Sequence, residues 1–177
     1  MRQRIPTLLI ILTRCRSGTL LYALIMLAIH PHIQDILFSE IQHVCKSRMP
    51  LHKDLQNLTY ALCIMYETLR MFPAVVLIPK RAAREETLLG KHYIPEGSII
   101  AYDTVNLHRN TQYWGDDINT FNPSRFDGRK SRAHPLDLGN TGGWVNDGNI
   151  KLPTRGAFCA FSEGVRTCIG MFSTDCG

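Results

Sequence analysis

The sequence predicts an α+β fold, mainly helical with a small β-sheet. Apolar residues recur at helical spacing through the first 72 residues, and short β-prone runs separated by turn residues follow Pro73. The chain has 177 residues, 45% of them hydrophobic and 20% charged, which is an ordinary globular composition. These proportions exclude a collagen-like chain and a low-complexity disordered chain.

Three helices are expected in the first part of the chain. Residues 19–29 are almost all apolar, which predicts a helix that is buried on every side and ends at Pro31. The second helix opens with this proline and is amphipathic, with Glu40 among the residues that face away from its apolar side. The third helix is expected to begin near Asp54 and to stop before Pro73.

The helices are followed by short runs of β-prone residues. Strands are predicted over residues 75–78, 87–89 and 98–105, with a turn at residues 95–97, so that a small sheet forms. Residues 127–157 then read as one long loop, and loops of this length in compact domains are either functional or disordered.

Charge and hydropathy exclude two classes of protein. The formal net charge is +5, but four positive charges come from an acid-free opening stretch, and the rest of the chain has no basic face of the kind that binds nucleic acid. The longest unbroken apolar run, residues 20–29, is ten residues long. Spanning a bilayer takes about 18 to 20. We therefore expect no nucleic-acid partner and no transmembrane helix within this chain.

The cysteines do not form a metal-binding or disulfide framework. No two of them make a C-x-x-C pair, and six in a chain of this length is sparse for a disulfide-stapled protein. We expect reduced thiols that face a cytosolic compartment. The six are Cys15, Cys45, Cys63, Cys159, Cys168 and Cys176.

One of these cysteines stands in a segment suited to ligating a metal, Phe161-Ser-Glu-Gly164-Val-Arg166-Thr-Cys168-Ile-Gly170. The two glycines allow a tight turn and a close approach of the backbone to a flat cofactor. The arginine and the neighbouring amides favour the thiolate that a metal requires, and the phenylalanine would exclude water. A buried structural cysteine in a turn is the alternative.

This segment resembles the ligand loop of the cytochrome P450 family, the haem-thiolate monooxygenases, which is written F-x-x-G-x-R-x-C-x-G. Every fixed position of that pattern is matched. The resemblance implies that Cys168 is the axial ligand of haem iron and that Arg166, Phe161, Gly164 and Gly170 also surround the haem.

A second part of the resemblance lies upstream of this loop. Glu67 and Arg70 are three residues apart on the third helix and can pair on one face. The family carries an E-x-x-R there and a later P-x-R-F segment, which Pro123-Ser-Arg125-Phe126 matches. The resemblance implies a buried charge triad of Glu67, Arg70 and Arg125 that locks the helix to the segment leading to the cysteine. A solvated helical ion pair is the alternative for the first two residues.

Two further haem contacts are implied by smaller matches. Pro79-Lys80-Arg81 resembles a strand that contributes a haem contact, and Leu107-His108-Arg109 resembles the segment that follows the family's sheet. Arg81 and His108 would then hold haem propionates as charge-assisted donors, with Lys80 as a competitor for the role of Arg81. Surface solvation is the alternative for both residues.

The resemblance covers residues 18–170, which correspond to the C-terminal portion of the family fold, from the end of helix I through J, K, the sheet and the meander to the cysteine loop. Residues 13–17 stand where the family carries an acid and a threonine that relay protons to dioxygen, so no catalytic residue is assigned. Residues 1–17 and 171–177 are atypical. We expect residues 1–177 to be a single partial domain, truncated at both ends by a misread gene.

Two functions from different classes follow. The first is a monooxygenase with haem b that inserts one oxygen atom of O2 into an apolar small molecule, using electrons from NADPH through a partner reductase; a relative that isomerises or dehydrates its substrate is a variant. The second is an inactive remnant that keeps the ligand motif and exposes the apolar face of residues 20–29. A thiol redox protein is disfavoured by the cysteine spacing. Membrane association, commonly on the cytosolic face of the endoplasmic reticulum, is expected only of the full-length parent.

Overall fold

A computed structural model confirms the α+β class, with helices in the first half and two small antiparallel sheets after them. The structure describes residues 4–46, 48–128, 150, 154, 156–162 and 167–168, and it describes the side chains of these residues except those of 4–14 and 78–81.

Three long helices form the body of the described chain. They are α1 (Arg4–Ile29), α2 (Pro31–Cys45) and α3 (Thr59–Met71). The break between the first two falls at the predicted proline, whose ring suits the first turn of a helix. Residues 4–17, which the sequence marks as atypical, continue α1 without interruption.

The third helix starts later than predicted. Asp54 lies in a separate 3-10 turn, His52–Asn57, where its carboxylate accepts hydrogen bonds from Arg48 at 2.6 and 2.8 Å and from the Leu51 amide at 2.7 Å. These bonds hold the pKa of Asp54 well below its usual range. Leu58, with φ −89° and ψ 58°, then breaks the helical conformation before α3 begins.

The prediction that the first helix is buried on every side is wrong. Ala23 and Met26 are buried, Met26 in a cluster with residues of α2 and α3, and Tyr22 stacks on Phe72 with ring centroids 4.6 Å apart. The opposite face is open, and Leu24 is 57% exposed. The described residues thus cover one face of α1 and leave the other in solvent. The open face consists of Leu20, Leu21, Leu24, Ile25 and Ile29.

Among the described residues, no single helix is both long enough and apolar enough to cross a membrane. Two consecutive helical segments together have the length and composition of a membrane span, but they are bent by 109° at the break between them. These segments are Cys15–Ile29 and Pro31–Cys45.

The core between the three helices contains Met26, Ile33, Tyr60, Ile64 and Phe121. Each long helix contributes one apolar face to this cluster, which is the arrangement that an amphipathic pattern predicts. The last of the five comes from the irregular region after the sheets, so the core ties that region to the helices.

Glu40 does not face solvent as the helical pattern predicts. Its carboxylate accepts hydrogen bonds from the amide of Tyr60, at 2.8 and 3.0 Å, and from the amide of Ala61 at 3.1 Å. These amides lie in the first turn of α3, where backbone donors lack partners within the helix and a negative charge is favourable. A side chain of α2 therefore caps the neighbouring helix.

The small sheet is two separate pairs of strands. Strand β1 (Leu77–Ala82) pairs antiparallel with β4 (Ile99–Asp103), and β2 (Thr87–Leu89) pairs with β3 (His92–Ile94). The sequence misses β3, because three residues are too few to show an alternating pattern.

The predicted turn at residues 95–97 leads into β4, with Gly97 at φ 77°, a conformation that glycine adopts easily. The strand predicted to reach residue 105 stops at Asp103, whose side chain accepts a hydrogen bond from the Asn106 amide at 3.0 Å. That bond starts a one-turn helix, α4 (Thr104–Leu107), where a strand was expected.

Beyond this helix the described chain is irregular. It contains α5 (Thr111–Trp114) and a 3-10 turn at Pro123–Phe126. Most of the predicted loop at residues 127–157 and all of residues 171–177 lie outside the described residues, although Asp127 and Ile150 form an antiparallel bridge.

Replacing the capping glutamate should destabilise the protein. We expect Glu40→Ala to lower the free energy of unfolding by about 1 kcal/mol, because two amides of α3 lose their acceptor, and Glu40→Gln to lower it less. Urea denaturation followed by circular dichroism measures the difference. Asp35→Ala, which removes an exposed acid from the same helix, is the matched control; an equal loss in both variants would contradict the capping role.

Candidate functional site

A buried ion pair on α3 is the centre of the candidate site. Arg70 donates from Nε to Glu67 Oε2 at 2.7 Å and from Nη2 to Glu67 Oε1 at 2.8 Å. Both side chains are fully buried. The pair is therefore not the solvated helical pair that the spacing alone would favour, and its charges must be balanced inside the protein.

Arg70 also has partners outside α3. Its Nη1 donates to the carbonyl of His108 at 3.1 Å, and its Nη2 approaches the carbonyl of Thr120 at 3.4 Å. The guanidinium lies 5.4 Å from the ring centroid of Trp114, within cation–π range. One arginine thus contacts three separate stretches of the irregular region.

The structure brings Arg125 to the same pair. Its Nε lies 3.4 Å from Glu67 Oε1, which also accepts a hydrogen bond from the Asn122 amide at 3.0 Å. The closer partner of Arg125 is Asp117, with contacts of 3.0 and 2.8 Å to the two carboxylate oxygens, which lower the pKa of that carboxyl. Two acids and two arginines therefore form one neutral cluster. Sequence reasoning missed Asp117, since no spacing rule connects it to the others.

Both ring nitrogens of His108 are engaged within the protein. Its ring is buried, Nδ1 donates to the carbonyl of Arg70 at 3.2 Å, and Nε2 accepts from the amide of Cys159 at 3.0 Å. Burial lowers the pKa of His108 to about 4, and a neutral ring with both nitrogens engaged has no donor left for an anion. These bonds leave no free ring donor for a propionate, and the burial of His108 excludes the alternative of surface solvation.

An aromatic cluster holds the segment that leads to the cysteine. Phe158 stacks on His108 with centroids 5.0 Å apart and meets Tyr66, Trp114 and Phe126 at 5.6 to 6.2 Å. Burial raises the pKa of Tyr66 to about 12, as expected for a phenol in such surroundings. Phe158 thereby packs this segment against Tyr66 of α3 and Phe126 of the 3-10 turn.

The predicted ligand loop starts from this packed segment. The amide of Cys168 donates to the carbonyl of Phe161 at 2.9 Å, which closes the loop between them, and both side chains are half-buried. None of the five cysteines that the structure describes, Cys168 among them, forms a disulfide. The thiol is therefore available as a ligand.

The other predicted haem contacts are not described at side-chain level. Arg166, Gly164 and Gly170 lie outside the described residues. Arg81 pairs through its backbone with Ile100 in the first sheet, and its side chain lies outside the described part of the structure.

A cavity of about 380 Å³ lies between α1 and the chain that follows α3. Tyr22, Phe72 and Val76 give it apolar walls, and Cys15 and Arg109 also line it. Cys15 is the member of residues 13–17 that the structure places at this cavity.

Removing the negative charge of the buried pair should cost much more stability than removing the outer acid. We expect Glu67→Gln to lower the free energy of unfolding by about 3 to 5 kcal/mol, because Arg70 then keeps a buried charge without its counter-ion. Asp117→Asn, at a side chain that is 51% exposed, should cost at most about 1 kcal/mol. Urea denaturation followed by tryptophan fluorescence gives both values, and similar losses would contradict the buried role.

The stability of the protein should also fall as the solution is acidified. The pKa of histidine is about 6.5 in the unfolded chain, whereas that of His108 in the folded protein is about 4, and the loss is expected between these two pH values. In that window the unfolded chain binds a proton that the folded chain does not, so stability falls by up to about 1.4 kcal/mol per pH unit. Urea denaturation from pH 4 to 7.5 tests this against His108→Gln, which should show a shallower slope. Parallel slopes in the two proteins would rule out His108 as the source.

Comparisons with known proteins agree with this geometry. The family profile described as cytochrome P450 matches residues 13–172. The chain is 34% identical over 158 residues to a Drosophila melanogaster protein named as cytochrome P450 313a2, covering 87% of this chain and 28% of that protein. It is 34% identical over 163 residues to cytochrome P450 monooxygenase 124 of the fungus Postia placenta, covering 87% of this chain and 27% of that one.

A solved zebrafish cytochrome P450 with progesterone superposes with a TM-score of 0.68 at 23% identity, over 90% of this chain and 31% of that one, and so shares the fold. The chain spans little more than a quarter of the length of the relatives that it matches. On the family match over nearly all of its residues, the chain belongs to the cytochrome P450 family of haem-iron monooxygenases, of whose fold it forms a part.

Proposed function

We propose that the protein of which this chain forms a part is a haem-thiolate monooxygenase. In this proposal it inserts one oxygen atom of O2 into an apolar small molecule and takes electrons from NADPH through a reductase. The observation that carries the proposal is the loop between Phe161 and Cys168, closed by a 2.9 Å amide–carbonyl bond at the end of a segment packed on α3.

The cysteine of the loop suits a haem group. Cys168 forms no disulfide, and a thiolate is one of the protein ligands that hold haem iron. When bound, the haem supplies the activation of dioxygen.

The chain's own residues would hold and orient this group. In the proposal Cys168 would hold the haem iron through its thiolate, and Phe161 would shield the sulfur from water. Arg166 favours the thiolate, and with Arg81 it binds the propionates, because guanidinium groups form strong charge-assisted bonds to carboxylates. Gly164 and Gly170 allow the close approach of the backbone.

The cavity beside α1 supports an apolar substrate. Its walls include Tyr22, Phe72 and Val76, and binding sites for small molecules are mostly apolar with a few polar groups. Arg109 is the charged residue among its lining residues, so a substrate with one acidic or carbonyl group at that end would be accommodated.

A second candidate function is an inactive remnant, and the open face of α1 favours it. Leu20 is 54% exposed and Ile29 is 63% exposed, and a contiguous apolar face of this kind promotes association. The hydroxyl of Thr19, the nearest described threonine after the substituted stretch, donates to the carbonyl of Cys15 at 3.0 Å. This threonine is thus engaged within its own helix.

A haem titration of the purified chain separates the two candidates. We expect saturable haem uptake and a thiolate-type Soret band in the reduced, carbon-monoxide-bound form, because Cys168 would provide the axial ligand. Cys168→Ala should lose this band. Cys159→Ser is the matched control, since it keeps the backbone amide that donates a hydrogen bond to His108 Nε2 and leaves Cys168 in place.

The two outcomes have different consequences. A thiolate-type band that disappears only in Cys168→Ala supports the monooxygenase proposal for the parent protein. Absence of specific uptake by the wild-type chain, or a band unchanged in Cys168→Ala, would overturn the proposed ligand and favour the remnant.

A further inference from the structure

We propose that His108 is a positioning residue that connects the buried ion pair of α3 to the chain segment leading into the Cys168 loop. Its two ring nitrogens are bonded to the two parts of the protein that must be held together. The role in haem binding rests on the function proposed above, whereas the connection itself is a property of the chain without haem.

The connection consists of consecutive short contacts. The Glu67–Arg70 pair fixes the end of α3, and Arg70 exchanges two hydrogen bonds with residue 108: its Nη1 donates to the carbonyl of His108, and its own carbonyl accepts from His108 Nδ1. On the other side His108 Nε2 accepts from the amide of Cys159 at 3.0 Å. Two residues further on, the carbonyl of Phe161 accepts a hydrogen bond from the amide of Cys168 at 2.9 Å.

These contacts require a single tautomer of the ring. The carbonyl of Arg70 can only accept, so the proton lies on Nδ1, and the amide of Cys159 can only donate, so Nε2 carries the lone pair. No other amino acid combines a donor and an acceptor at these two positions in one rigid ring. The choice of histidine here therefore has a physical reason.

The surroundings of the ring protect both bonds. His108 is fully buried, and Phe158, the residue before Cys159, stacks on it with an interplanar angle of 15°. Stacking and the Cys159 bond thus act on adjacent residues of the same segment. Burial strengthens the bonds, since water does not compete with them there.

Two variants separate the two ends of the connection. His108→Gln can place an acceptor oxygen near the position of Nε2, and His108→Asn can place a donor near the position of Nδ1, while both lose the ring. Only the first keeps a partner for the Cys159 amide. Comparison of the two therefore isolates the link to the loop from the loss of stacking, and His108→Leu removes both bonds.

The first readout uses the chain without haem. We expect the Cys159 amide to exchange its hydrogen slowly in the wild type and in His108→Gln, and at least about fivefold faster in His108→Asn and His108→Leu. Nitrogen-15 chemical shifts of the wild-type imidazole should show the proton on Nδ1. The second readout is the reduced, carbon-monoxide-bound Soret band after haem loading, which His108→Gln should retain and His108→Asn should lose in part.

The outcomes distinguish this inference from the proposed function. If the wild type binds no haem, the haem-thiolate proposal fails while exchange and the nitrogen shifts still test the connection. A proton on Nε2, or equal Cys159 exchange in the wild type and His108→Asn, would overturn it. Folded His108→Gln that behaves like His108→Leu would also overturn it, because the restored acceptor would then have no effect.

Discussion

The buried pair of Glu67 and Arg70 is the constraint on which the rest of the described structure depends. A charged pair removed from water must have every hydrogen-bonding atom satisfied. Here the partners come from the irregular region: the carbonyls of His108 and Thr120 bind the arginine, and the amide of Asn122 binds the glutamate. A stretch of chain with little regular structure is thus fixed by one pair of charges on a helix.

Three members of this cluster were predictable from sequence, two from helix geometry and one from the family resemblance. Glu67 and Arg70 lie one helical turn apart, and Arg125 was expected beside them from the family resemblance. Asp117 and the backbone partners could not be predicted, because their positions depend on how an irregular chain folds back, and no periodicity records that. The buried contacts of His108 could not be predicted for the same reason, because the resemblance implied a propionate contact and the alternative was surface solvation.

The same division holds for the fold. Pro31 marks the break between α1 and α2 because its ring restricts the backbone locally. The exposed side of α1 and the inward position of Glu40 were both missed, since helical periodicity shows which residues share a face and not what covers that face. The late start of α3 follows from the bonds of Asp54, which a propensity argument does not contain.

The path from the ion pair to the thiol has a thermodynamic consequence. The stacking of Phe158 and the bond between His108 and the Cys159 amide are two of the contacts that hold residues 156–162 to the helical body, whereas Glu67 and Arg70 are surrounded on all sides. Parts of a protein open locally with free energies that range up to that of the whole domain. A weakened link at His108 therefore acts first on the geometry of the loop, and a change at Glu67 acts on the whole fold. A ligand that binds only the closed loop stabilises the loop against opening. Binding of a ligand at Cys168 should therefore increase the protection of the Cys159 amide from hydrogen exchange.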